Sequence, residues 1–297
     1  MLDYFYLALY KLFGFLLKIL PDAVIRSFMK SLAWFAYTMS IKHQKRIAHN
    51  LDLAFDGLLS KEEKKKIGIE AFMNLIDTVF GIIRRDGMSK DEVIKNVTFE
   101  GEEIVQKYKN AGKKIIFVTG HQGNWELLSQ AIAIKFDLTL VGVGRKLDSE
   151  MMDKVLKKNR ERFNVEMVYK KGAMKGCIKA LSQNKAIGIL VDQAIRKSQS
   201  IDVTFFGHKA THTPLASILS RKYDIALIPA FIDTDDYQNY HVKVYEPLKC
   251  IKTDNQEEDL VMLTQAQADM MQSVIENHTK QWFWMHNRWK GMSNNEL

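Results

Sequence analysis

The stretch Gly120-His121-Gln122-Gly123-Asn124-Trp125-Glu126 places a histidine and a carboxylate five residues apart, with a glycine on either side of the histidine. An imidazole so placed can take the proton of a hydroxyl. A carboxylate on its far nitrogen fixes the tautomer and stabilises the imidazolium that forms. This is the base and orienter of a catalytic triad, with the nucleophile left to the substrate. Gly120 and Gly123 let backbone and ligand approach closely. The spacing alone discriminates poorly. A capping acid beside a turn histidine has it, and so do His241 and Glu246. That second pair lies on an apparent strand, where an odd separation sends the side chains to opposite faces, so it is set aside. Asp192 ends an apolar run and is a third candidate, a turn or cap residue being its plain alternative. Arg160 and Arg162 are candidates for an anionic head group, with simple solvation as theirs.

These residues need elements to hold them. Ile115 to Val118 is a short apolar run ending at Thr119-Gly120, which reads as a buried strand. Residues 124–136 read as helix, 138–143 as strand, 149–163 as a charged helix and 165–169 as strand. Residues 173–184 read as helix, 186–191 as a second buried strand and 202–206 as strand. Thr213-Pro214 opens a helix, with the threonine as cap. Strands at 225–232 and 240–245 and a long helix at 259–281 complete the series. Upstream, 61–95 reads as helix, capped by Ser60, with Ile67, Ala71, Leu75 and Val79 at helical spacing and with Arg84 to Lys95 as a polar connection that carries more helix. The alternation predicts an α/β fold, a largely parallel central sheet flanked by helices. In such sheets ligands bind outside the carboxyl ends of strands. His121 and Asp192 both fall there.

The N-terminus reads differently. Of the seventeen residues from Tyr4 to Leu20, only Lys11 and Lys18 are charged, and at seven apart they share a helix face. The segment is short for a clean span, and a helix lying in the membrane surface fits it better. It lacks the basic start and small-residue cleavage site of a secretory signal. A second apolar stretch, 31–41, precedes Lys42-His43-Gln44-Lys45-Arg46, the charge pattern of a cytoplasmic membrane face. The expected organisation is therefore a membrane-associating helical segment at 1–41 and an α/β domain at 42–297.

With 43 basic and 35 acidic residues, the chain carries a formal charge of +8, which favours an anionic partner. Cys177 and Cys250 show neither metal spacing nor a disulfide framework. No G-x-S-x-G elbow, P-loop, dinucleotide fingerprint or H-E-x-x-H is present. No metal, cofactor or nucleic-acid module is expected.

The segment GHQGNWELL resembles the H-x4-D/E block of the lysophospholipid acyltransferase superfamily. More closely, the chain is similar to the lipid A biosynthesis lauroyl/myristoyl (late) acyltransferases. RIAHNLDLAF at 46–55, GVGRKLDSEMMDKVLKKNRERF at 142–163, GILVDQA, VTFFG and IALIPAF follow in that family's order. QWFWMHNRWKG at 281–291 resembles its ending. The resemblance covers nearly the whole chain. It departs near residue 148, where Arg145-Lys146-Leu147-Asp148 replaces the Arg-Pro-x-x-Asn of many relatives.

The resemblance implies an O-acyltransferase at the cytoplasmic face of the bacterial inner membrane. It would move an acyl chain from acyl carrier protein to a hydroxyl of a lipid A precursor. It makes His121 and Glu126 the catalytic pair. Arg160, with Arg162 as fallback, and Asp192 become substrate-binding residues. Two alternatives stay open. One is an acyl-CoA-dependent glycerolipid or glycolipid acyltransferase, and the other a non-catalytic basic membrane-binding protein.

Overall fold

The computed structural model describes residues 2–290. Four helices come first: α1 (Leu2–Ile19), α2 (Asp22–Met39), α3 (Ile41–Ala54) and α4 (Lys61–Arg85). Ser60 caps α4 in a reciprocal capping box with Glu63. The helix expected from Lys61 ends at Arg85, and the polar connection expected over 84–95 carries a further short helix. Gly87 turns at φ 102°, and a second capping box, Ser89 with Glu92, starts α5 (Lys90–Ile94). β1 (Val97–Glu100) and α6 (Glu102–Asn110) follow, and neither was legible from the sequence.

The expected alternation then appears: β2 (Ile116–Thr119), α7 (Trp125–Lys135), β3 (Leu140–Gly144), α8 (Glu150–Glu161), β4 (Val165–Tyr169), α9 (Ala173–Ser182) and β5 (Ala186–Leu190). A hairpin of β6 (Ile201–Phe205) and β7 (His208–His212) turns at Phe206-Gly207, both with positive φ, as a two-residue hairpin requires. The chain ends in α10 (Leu215–Tyr223), β8 (Leu227–Asp233), β9 (Tyr240–Val244) and α11 (Gln256–Asn277). Pro214 rather than Thr213 occupies the cap position of α10. Asn255 caps α11, which starts three residues before the expected Asp259 and ends at Asn277 rather than Gln281.

Seven strands form one sheet in the order β1-β9-β8-β2-β5-β3-β4. β8, β2, β5, β3 and β4 are mutually parallel. β9 runs against β8, and β1 runs with β9. The sheet is thus largely parallel, with two reversed strands at one edge. Alternation along β2 fills both faces. Phe117 packs with α5, α6 and α7 through Val93, Val105 and Leu128. Ile116 and Val118 pack with α9 and α10 through Cys177, Leu181 and Leu219.

A third core lies beyond the sheet. Met29 and Ala33 of α2, Leu51 of α3, Phe205 of the hairpin, Met271 of α11 and Trp284 share it. The division expected at 41/42 falls one residue inside α3, and this core draws on both sides of it. Met1 and residues 291–297 of that division lie outside the described residues. Many large apolar side chains on α1 and α2 remain exposed, among them Phe5, Phe15, Trp34, Phe35 and Met39. Among the described residues, no helix is long and apolar enough to cross a membrane.

Candidate active site

β2 and β5 are adjacent and in register, with Thr119 opposite Leu190. The residues just past them, His121 and Asp192, therefore meet at the carboxyl edge of the sheet. Asp192 Oδ1 accepts from His121 Nδ1 at 2.8 Å, and Oδ2 accepts from the His121 backbone N–H at 2.9 Å. Oδ2 also accepts from the indole N–H of Trp282 at 2.8 Å. Burial pushes the Asp192 carboxyl up. The adjacent imidazole and these hydrogen bonds outweigh it and hold the group well below the usual carboxylate range. An ionised Asp192 requires Nδ1 to carry its proton, which leaves the lone pair on Nε2. Gln193 Nε2 lies 3.2 Å from that atom and donates to it. The aspartate side chain is 2% exposed and the histidine 20%, so the pair has one open side.

The carboxylate in contact with His121 is thus Asp192, and the contact expected between Glu126 and His121 is not made. Both Glu126 oxygens are taken by Arg160, from Nε at 2.9 Å and from a terminal nitrogen at 2.5 Å. Register explains the difference. Glu126 sits in the first turn of α7 and points toward α8, whereas Asp192 arrives from the neighbouring strand directly beside the histidine. The Glu126–Arg160 pair is itself held from beneath. Gln130 of α7 donates to Asn159 at 3.0 Å, and Asn159 donates to the Ile82 carbonyl of α4 at 3.1 Å. Both are buried. They dock α8 against α7 and α4 and so fix Arg160. Arg162 makes no contact with these carboxylates; its guanidinium lies over the ring of Phe163.

The loop geometry depends on two glycines. A Cβ on Gly120 would sit 2.4 Å from Met271 and 3.2 Å from the Asp192 carboxyl carbon. Gly123, at φ 53°, has the Ile232 carbonyl oxygen 2.2 Å from where a Cβ would stand. A backbone carbonyl cannot yield as a flexible side chain can, so only glycine fits there.

The C-terminal segment forms the far wall. Phe283 donates its N–H to the His121 carbonyl at 3.0 Å, and Gly123 donates to the Gln281 carbonyl at 3.0 Å. The imidazole packs against the rings of Trp125, 5.0 Å away and edge-on, and Phe283, 5.9 Å away, and these two rings are 6.0 Å from each other. His286 accepts from the Ala194 N–H at 2.9 Å, and Arg288 donates to the Thr211 carbonyl. The first bond ties the loop after Asp192, and the second ties β7, to the segment that follows α11. Burial, with the cation of Arg288 behind it, pushes the His212 imidazole down to about 3. Trp282, Trp125 and Phe283 were missed as site residues. Their side chains read as core aromatics, and the family-like ending was the one signal that drew attention to this segment.

Beside the pair lies a groove of about 460 Å³ walled by Phe13, Val79, Ile82, Met152, Val155 and Leu156. Trp125 and Glu126 form its end nearest His121. An apolar groove ending beside a histidine whose Nε2 carries a lone pair, held only by the Gln193 amide, can seat an alkyl chain with its reactive end at the histidine. Among the described residues, no group of three or more His, Cys, Asp or Glu is arranged to hold a metal ion.

The comparisons with known proteins bear on the family of the whole chain. A family model described as "Bacterial lipid A biosynthesis acyltransferase" matches residues 1–291. No curated protein matches the chain.

Proposed function

The chain belongs to the bacterial lipid A biosynthesis acyltransferase family, and from that premise we propose that His121 is the general base of acyl transfer to a lipid A precursor hydroxyl. Asp192 is its orienter, and acyl carrier protein is the donor. The observation that carries this reading is the His121–Asp192 pair, 2.8 Å apart, at the end of an apolar groove. His121 Nε2 takes the proton of the lipid hydroxyl as its oxygen attacks the thioester carbonyl. The tetrahedral intermediate collapses, the carbon–sulfur bond breaks, and the carrier thiolate leaves with the proton returned from Nε2. The products are the ester and the carrier thiol. Asp192 remains ionised throughout and stabilises the imidazolium. The acyl donor is already activated as a thioester, so no cofactor is required.

Glu126 and Arg160 have a positioning role in this scheme. Their ion pair holds Glu126, and with it the adjoining Trp125, at the end of the groove nearest His121. A saturated chain of the lauroyl or myristoyl type suits the groove. The exposed apolar residues of α1 and α2 and the net charge of +8 suit the cytoplasmic face of the inner membrane, with these helices lying in its surface. Acyl transfer to a lipid A precursor, compared between acyl-carrier-protein and acyl-CoA donors, tests the donor. Transfer from acyl-CoA alone would remove the carrier protein from the scheme.

A further inference from the structure

On the other side of α4 from the acyl groove lies a second cavity, of about 390 Å³, enclosed by α2, α4, α5 and the starts of β1 and β9. Four basic residues line it: Arg26, Arg84, Arg85 and Lys95. Arg85 is 6% exposed, yet its Nε and one terminal nitrogen have no hydrogen-bond partner, and Nη1 of Arg26 is likewise buried and unpartnered. The acids of the same lining have hydrogen-bond partners of their own: Arg84 takes up Asp22, and Asp77 acts on the Arg85 charge without hydrogen-bonding to it. Asp22 accepts from Arg84 at 2.7 Å. Glu92 accepts from the Ser89 backbone and hydroxyl. Asp77 accepts from the Tyr240 hydroxyl at 2.9 Å and from Asn124 at 2.8 Å. Gly81 leaves room for the guanidinium, since a Cβ there would stand 2.5 Å from Nη1 of Arg85.

Buried guanidinium groups with free donors are rare because their desolvation is offset only by hydrogen bonds or an opposite charge. Two that converge on one cavity match a tetrahedral oxyanion, which accepts from planar donor forks. We propose that this cavity is a binding site for a phosphate group, with Arg85 at its base and Arg26 and Lys95 toward its opening. It lies on the catalytic edge of the sheet. β9 starts at that edge because it runs against β8, and β1 follows β9. At roughly 4.8 Å per strand, the starts of β9 and β1 are about 10 and 14 Å from the end of β2. A phosphate held here is therefore within the span of a lipid whose acyl hydroxyl reaches His121. The site does not depend on the catalytic role of His121.

Sodium phosphate titrated into the full chain in detergent, against sodium chloride at matched ionic strength, tests it by calorimetry and thermal shift. The site requires saturable phosphate binding, at least tenfold weaker in Arg26→Gln and lost in Arg85→Gln. Arg26 is only half-buried, so its variant decides the matter even where Arg85→Gln does not fold. Equal responses to phosphate and chloride, or unaltered affinity in Arg26→Gln, would overturn the proposal. Competition identifies the source. A phosphorylated lipid A precursor that displaces phosphate, while its dephosphorylated form does not, makes the head group the occupant. A precursor that binds alongside phosphate makes the free ion the occupant.

Discussion

Asp192 grips His121 twice, at the ring nitrogen Nδ1 and at the backbone N–H, with one carboxylate oxygen for each. The double contact fixes both the ring's orientation and the loop that carries it. A single carboxylate thereby sets the tautomer and limits movement of the base, which helps to hold Nε2 in place for a hydroxyl. Trp282, ninety residues further on, donates to the same carboxylate and closes it off from solvent.

Replacing Asp192 by asparagine keeps the shape and removes the charge that stabilises the imidazolium. Steady-state kinetics of Asp192→Asn should show kcat lower by about 10²–10⁴-fold, with KM little changed. A loss confined to KM would assign Asp192 to substrate binding instead.

Glu126 and Arg160 act as one unit in this account. Glu126→Gln and Arg160→Gln should each lower kcat/KM, and the double variant should be hardly worse than either single one. A Glu126 effect that survives intact in the Arg160→Gln background would mean that the carboxylate acts on His121 directly.

Much of this was legible in advance. The alternation of strand and helix from Ile115 to Val191 fixed the parallel sheet, and the strand ends pointed to His121 and Asp192. β1 escaped because four residues of alternating burial carry little signal, and β7 because His208-Lys209-Ala210-Thr211-His212 is polar. The choice between Glu126 and Asp192 as orienter was not legible from spacing. Five residues along the chain bring Glu126 onto the next helix, where Arg160 claims it. The neighbour in space comes from the paired strand β5, and strand order is a tertiary property. The Trp282 bond is of the same kind.

The acyl groove makes a prediction about chain length. A larger side chain in its wall, as in Val155→Trp, should cut transfer of long acyl chains more than of short ones when donors of different length compete. Val155 is half-buried and remote from His121, so an equal loss for all donors would show that the chain lies elsewhere.

His212 is buried and neutral, with a folded pKa of about 3 against an ordinary value of 6.5. The unfolded chain thus binds a proton that the folded chain refuses. Stability is full above pH 6.5 and falls as pH drops from 6.5 toward 3. By pH 4.5 the loss from His212 amounts to roughly 2–3 kcal/mol. His286, lowered to about 4, acts in the same direction. Urea midpoints between pH 7 and 4.5 should therefore fall less steeply in His212→Asn than in the wild type. Parallel slopes would show that the imidazole is not buried neutral.

The most direct test is acyl transfer itself, measured with purified protein in detergent, an acyl-carrier-protein donor and a phosphorylated lipid A precursor, with His121→Ala beside the wild type. With His121 as the base, the wild type transfers the chain and the variant loses at least about 10²-fold, with its folding intact by circular dichroism. Transfer at the wild-type rate by His121→Ala would contradict that role.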